Sequence, residues 1–207
     1  RRDAHPTFVL VGSYDFKLYC VDAGTGRSNW VYETGNYING SPAVANGQAA
    51  FGGCDGLLHV ISLAEGKQVK EVEAGAYIAG SAAMADGCAY VGQYENEFLC
   101  VDLKAGKKVW AFHDRNFPYF SSPAVTQDAV VFGGRDKLLH CVKRVDGKAV
   151  SRSAIESLIN SKQGANQERW RTAAKDKALA PLMPRIIIET PGETLLTCPV
   201  GTPLKVM

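Results

Sequence analysis

The chain has 207 residues, 46% of them hydrophobic and 21 of them glycine, the composition of a globular protein with many tight turns. Its 23 Lys and Arg against 21 Asp and Glu leave a net charge of +2, which gives neither the broad basic field that nucleic acid requires nor the charge excess of a disordered chain. The longest apolar stretches, such as Phe8 to Val11 and Ile186 to Ile188, fall far short of the ~20 residues that cross a bilayer, so no membrane span is expected.

The chain opens Arg1-Arg2-Asp3-Ala4-His5, with neither a starting Met nor the charged, apolar, small-residue order of a secretory signal, and reads as part of a longer protein. Four short segments follow: Phe8 to Val11, Lys17 to Val21, Asn29 to Tyr32 and Pro42 to Ala45. Each is rich in aromatic and β-branched residues and predicts a strand. Between them lie Tyr14-Asp15, Ala23-Gly24-Thr25-Gly26, Gly35-Asn36 and Asn46-Gly47, residue types that supply the positive φ of hairpin turns.

The same order then recurs. Gly12, Gly52, Gly92 and Gly133 each close a short apolar run, at spacings of 40, 40 and 41 residues, and a second series, Gly26, Gly66, Gly106 and Gly147, follows each of them by fourteen. Cys20, Val60, Cys100 and Cys141 hold one common strand position, and Ser41-Pro42, Ser81-Ala82 and Ser122-Pro123 open later strands. No helical periodicity is visible through residue 150. Four antiparallel strands repeated about every 40 residues predict an all-β fold of β-propeller blades, four to five in this chain.

Within the repeat, Cys20-Val-Asp22-Ala-Gly-Thr25-Gly26-Arg27-Ser-Asn-Trp30 resembles the tryptophan-docking motif of propellers of the pyrroloquinoline-quinone (PQQ) type, and Cys100-Val-Asp102 through Gly106-Lys107 to Trp110 repeats it. The second copy keeps Gly66-Lys67 but carries Ser62 for the Asp and Lys70 for the Trp; the fourth keeps Gly147-Lys148 and puts Ser151 where the Trp belongs. The motif implies that Trp30 and Trp110 bury their rings between neighbouring sheets. Lys70 is expected to lay its stem on the next sheet with its ammonium in water, a weak docking contact.

From Ser151 to about Arg185 the strand code gives way to polar, weakly helical sequence, an insertion or a non-native segment, where blade order is expected to stop. Gly192 and Gly201 then repeat the nine-residue spacing of Gly26 and Gly35, so residues 186 to 207 read as a partial, worn blade. The expected organisation is blades over 8 to 150, the irregular stretch over 151 to 185, and the worn copy at the end.

The chemistry-bearing residues fall on this repeat. Cys20, Cys100 and Cys141 fall on different blades while Cys54, Cys88 and Cys198 stand alone, with no Cys-x-x-Cys, so free buried thiols are expected rather than disulfides or zinc. His59 and His140 occupy a strand position held elsewhere by Tyr19 and Leu99 and read as structural. His113-Asp114-Arg115-Asn116 gathers acid, base and amide but reads as a solvated loop, and Asp15, Asp55, Glu95 and Asp136 read as turn formers. No residue is assigned a catalytic, cofactor-binding or metal-binding role. Tyr37, Tyr77 and Tyr119 precede the Ser-Pro or Ser-Ala strand starts by three or four residues and would cluster near one mouth of the channel.

The resemblance implies a non-catalytic PQQ-like propeller scaffold that binds a protein or small ligand at that mouth, similar to the propeller lipoproteins of outer-membrane assembly. It also implies a bacterial periplasm or cell-envelope location. The alternative is a fragment of a PQQ- and calcium-dependent alcohol or sugar dehydrogenase. Such an enzyme needs a cysteine stacking platform, carboxylate and amide calcium ligands and an Asp base, none of which can be placed on this sequence.

Overall fold

The computed structural model describes residues 7–150 except position 137, together with three later strands. The chain divides into two compact units, Arg1–Val150 and Ser151–Met207. In the first unit the β-branched and aromatic runs form four successive antiparallel sheets, with no helix among the described residues. The first sheet holds β1 (Phe8–Gly12), β2 (Lys17–Asp22) and β3 (Ser28–Glu33). The second holds β4 (Ala43–Ala45), β5 (Gln48–Gly52), β6 (Leu57–Ser62) and β7 (Gln68–Glu73). The third holds β8 (Ala83–Ala85), β9 (Cys88–Gly92), β10 (Phe98–Asp102) and β11 (Lys107–Phe112). The fourth holds β12 (Ala124–Val125), β13 (Ala129–Gly133) and β14 (Leu139–Lys143), with an isolated bridge from Val142 to Ala149. The second unit contains β15 (Arg185–Glu189), β16 (Glu193–Thr197) and β17 (Pro203–Lys205), paired in order as a three-stranded antiparallel sheet. The predicted irregular stretch up to residue 184 lies outside the described residues.

The strand repeat has a different phase from the one read in the sequence. The Pro42 to Ala45 segment does not complete the first sheet; it opens the second, pairing Ala43 with Ala50 and Ala45 with Gln48. The reason is the two-residue turn between them. Asn46 at φ 51° and Gly47 at φ 72° both sit in the left-handed region that a type I′ hairpin demands, which ties β4 to β5. The longer connector of residues 34–42 instead carries the chain from one sheet to the next.

The middle sheets are covered on both faces, so β5, β6, β9 and β10 read as almost unbroken buried runs. Three seams result. Between the first and second sheets lie Leu18, Ile38, Phe51 and Ile61; between the second and third, an aliphatic core including Leu58, Val60, Val91 and Leu99. Between the third and fourth the filling is aromatic, with Tyr90, Phe98, Trp110, Phe112, Tyr119 and Phe132 buried together.

Each seam is closed by one side chain reaching into the next sheet. A Cβ on Gly66 would stand 2.4 Å from Trp30 Cδ2, and one on Gly147 would stand 2.6 Å from Trp110 Cε3, so only glycine leaves room for the indole. The Trp30 N–H donates to the Leu63 carbonyl at 3.0 Å and the Trp110 N–H to the Arg144 carbonyl at 2.9 Å. Lys70 fills the same socket: its Cδ lies over Gly106, and its ammonium donates to the Lys104 carbonyl at 2.5 Å rather than standing in water. The motif Asp22 closes its own turn, accepting from the Thr25 N–H at 2.7 Å and the Thr25 hydroxyl at 2.8 Å.

At the inner edge the sheets approach backbone to backbone. The Ser41 N–H donates to Ser81 Oγ at 3.0 Å, and a Cβ on Gly40 would lie 2.1 Å from the Gly80 carbonyl oxygen. The innermost strands are therefore β4, β8 and β12, those that begin at the Ser-Pro and Ser-Ala signals.

Candidate functional site

The connectors between sheets repeat one hydrogen-bonding scheme, which fixes the side chains at one end of the unit. Ile38 N–H donates to Ser13 O and Cys54 N–H to Tyr37 O; one repeat later Ile78 N–H donates to Gly53 O and Tyr94 N–H to Tyr77 O. Each connector is thus stitched to the hairpins of both sheets it joins. In the third connector the partners are Tyr119 N–H to Gln93 O and Arg135 N–H to Pro118 O. Tyr119 therefore matches Ile38 and Ile78, and Pro118 matches Tyr37 and Tyr77.

This corrects the expected trio. Tyr37 and Tyr77 do stand at the connector end, Tyr37 against Tyr14 and Phe16 at ring separations of 4.9 and 5.2 Å. Tyr77 stacks on Tyr94 at 4.2 Å, Phe120 lies 5.7 Å from Tyr94, and the Arg135 guanidinium sits 5.0 Å above the Phe120 ring. Tyr14, Phe16, Tyr37 and Tyr94 are exposed. Tyr119 is not part of this surface. It is 1% exposed, inside the third seam, and its hydroxyl has no hydrogen-bond partner. The period slips by one residue in the connector between Phe112 and Pro118, so counting back from the Ser-Pro start selects the wrong residue.

The two buried histidines share one frame. His59 Nε2 lies 3.0 Å from Asp55 Oδ2 and His140 Nε2 lies 2.9 Å from Asp136 Oδ2; in both hairpins the other carboxylate oxygen accepts the N–H two residues on, from Leu57 or Leu138. Each is held by the acid of its own turn. Their surroundings differ. At His59, Tyr32 Oη lies 3.2 Å from Nδ1, Glu71 Oε1 lies 3.3 Å from the same nitrogen, and the Gly35 N–H donates to Asp55 Oδ2 at 3.0 Å. At His140, Phe112 stands in the place of Tyr32, with its ring 5.4 Å away. In the third connector Asp114 brings a carboxylate toward Asp136 and His140, and one ligand atom from each of the three lies within 4.8 Å of the others. His113, Asp114, Arg115 and Asn116 are all exposed, and Asp114 reaches the edge of the buried Asp136–His140 pair from that exposed connector. Its neighbour Arg115 holds Nε 3.9 Å from Asp114 Oδ2. Burial pushes the Tyr119 hydroxyl above its ordinary pKa, the backbone N–H groups of Asp114 and Arg115 work against it, and the charges of Asp136 and Asp114 add to it.

Cys20, Cys54, Cys88, Cys100 and Cys141 are free thiols. Cys88 does not stand alone, however: it neighbours Cys100 on the adjacent strand. Burial first, and then Cys88, push the Cys100 thiol up to about 12, which leaves it protonated and unreactive at neutral pH.

No protein-family model and no curated protein matches this sequence. Among solved structures the chain is similar to BamB from Moraxella catarrhalis, at 19% identity and a TM-score of 0.62, over 69% of this chain and 44% of BamB. It is also similar to the computationally designed Ika8 protein, at 15% identity and a TM-score of 0.64, over 71% of this chain and 46% of Ika8. The designed Ika4 protein aligns at 14% identity and a TM-score of 0.61, over 67% of this chain and 86% of Ika4. The fold is a β-propeller. This chain spans less than half the length of BamB, and its four successive sheets with Trp and Lys seams are blades of that architecture.

Proposed function

We propose that the chain is a segment of a PQQ-like β-propeller that serves as a non-catalytic scaffold, in the manner of the propeller lipoproteins of outer-membrane assembly, within a bacterial cell envelope. The likeness to BamB supports this reading. The observation that carries it is the aromatic surface of the connector end. Tyr14, Phe16 and Tyr37 form one cluster, and Tyr77, Tyr94 and Phe120 with Arg135 form a second. Aromatic side chains and Arg are the types enriched at protein interfaces, because they offer large rigid contact areas with a polar edge. Here they rest on connectors pinned by backbone hydrogen bonds, so little order is lost on binding.

The dehydrogenase alternative asks for a calcium set of six to eight oxygens and a stacking platform for the quinone. The described residues do not fit it. The hairpin acids Asp15, Asp55 and Asp136 lie in three different sheets rather than in one set, and Cys88 and Cys100 lie on neighbouring strands rather than adjacent in sequence.

A photo-crosslinking residue at Tyr94 should capture a discrete partner protein from a bacterial envelope extract, whereas the same residue at Val109, an exposed position on β11, should not. Equal labelling at both would remove the case for the aromatic surface. Dye-linked alcohol oxidation after addition of PQQ and Ca²⁺ would favour the alternative.

A further inference from the structure

The third seam departs from the repeat at three positions around His140. Where Ile38 and Ile78 fill the slot with hydrocarbon, Tyr119 places a hydroxyl that is buried and without a partner. Where Tyr32 engages the first histidine, Phe112 leaves His140 to Asp136 alone. Where the Gly35 N–H neutralises Asp55 Oδ2, the corresponding connector brings the Asp114 carboxylate. An N–H donor has been exchanged for a second acid beside an Asp136 whose side chain is 1% exposed. Two carboxylates that share a poorly solvated pocket repel unless a cation lies between them. At His59 the two acids stand on opposite ring nitrogens and cannot share an ion; at His140 they converge.

The geometry points to a divalent transition-metal site of the zinc type formed by Asp114, Asp136 and His140, with the Tyr119 hydroxyl as its supporting hydrogen-bond donor. One imidazole nitrogen and two carboxylate oxygens are a donor set that suits zinc and its neighbours, and leave a position for water or another ligand. Donors on a tetrahedral zinc at about 2.0–2.1 Å stand roughly 3.3 Å apart. The Asp136–His140 pair is already at 2.9 Å and the remaining separations are at most 4.8 Å, so modest closure of the exposed Asp114 side chain completes the set. Arg115 must then yield its place beside Asp114 to the ion. Tyr119 fits a supporting role because a hydroxyl donated to a liganding carboxylate orients it, which would give the orphaned group its partner.

The test is titration of the full chain with Zn²⁺ alone, followed by calorimetry, with Ca²⁺ as the second probe. One Zn²⁺ should bind per chain, more tightly than Ca²⁺. Asp114→Asn, at an exposed position that should leave folding intact, should weaken Zn²⁺ binding by at least about tenfold, and Tyr119→Phe by about tenfold. His59→Gln and the Cys88→Ser/Cys100→Ser double variant should bind as the parent does. Absence of Zn²⁺ binding, tighter binding of Ca²⁺, or an affinity unmoved by Asp114→Asn but lost with the cysteines would each overturn the proposal.

Discussion

The first and third seams of the propeller are built alike and filled differently. Both are closed by an indole seated on a glycine of the next sheet with its N–H on a backbone carbonyl, and both bury a histidine tied to the acid of its own hairpin. Around His59 every polar neighbour is matched: Tyr32 and Glu71 serve one ring nitrogen, and the Gly35 N–H serves Asp55. Around His140 the neighbours are rings, a second carboxylate and an unpartnered hydroxyl. The difference separates two kinds of residue in a repeat fold. The indole and glycine sockets of these two seams recur with the period, while the surroundings of His140 depart from it by exchanging hydrocarbon for a hydroxyl and an N–H for a carboxylate.

The largest expected effect concerns what the seams share. Trp110 is 9% exposed, so Trp110→Ala should cost about 3–5 kcal/mol of unfolding free energy in urea. Trp30 is only half-buried, and Trp30→Ala should cost less. If Trp110→Ala costs under ~1 kcal/mol, the indole socket does not carry the seam.

The next effect should differ in sign between the seams. Tyr32→Phe removes a hydroxyl bonded to His59 and Glu71 and should destabilise by about 1–2 kcal/mol. Tyr119→Phe removes a buried hydroxyl with no partner and, in metal-free buffer, should be neutral or stabilising by up to about 1 kcal/mol. Parallel urea curves that shift the same way would erase the contrast.

Lys70 lies between these extremes, since it fills the indole socket with a flexible stem. Lys70→Met keeps much of the stem and removes the donor to Lys104, and should cost about 0.5–1 kcal/mol. No measurable change would mean that the Lys104 contact contributes nothing in solution.

The smallest effect is a pH response of the motif turns. The hydroxyl and N–H of Thr25 hold the half-buried Asp22 carboxyl below its ordinary pKa. A carboxyl lowered in the folded state contributes stability that is present above its unfolded pKa and is lost as pH falls through the folded one. Melting temperatures between pH 5 and pH 2 should therefore fall less steeply for Asp22→Asn than for the parent. Identical slopes would remove the turn from the acid response.

Much of the fold was readable because its cause is local. The paired glycine series fixed the strand order, and the sockets at Gly66 and Gly147 explain why those glycines recur. The phase of the blades was not readable by spacing, since a strand at a period boundary fits either neighbour; the Asn46-Gly47 turn held that information as backbone conformation. Lys70 was legible as a stem on the next sheet, but not its donation to Lys104, which depends on a carbonyl of another blade. The Asp114, Asp136 and His140 group was hidden because three elements of one seam bring it together and no short motif spans it. One signal was available: aligning the connectors through the one-residue slip places Tyr119 under Ile38 and Ile78, a hydroxyl in an aliphatic column.

The most direct measurement is anomalous diffraction at the zinc edge from crystals of the chain grown with Zn²⁺. A peak is expected among the carboxylates of Asp114 and Asp136 and Nε2 of His140, with none beside His59. A peak at His59, at the cysteines or nowhere, with Asp136 bonded to His140 as before, would show that the departures in the third seam do not form a metal site.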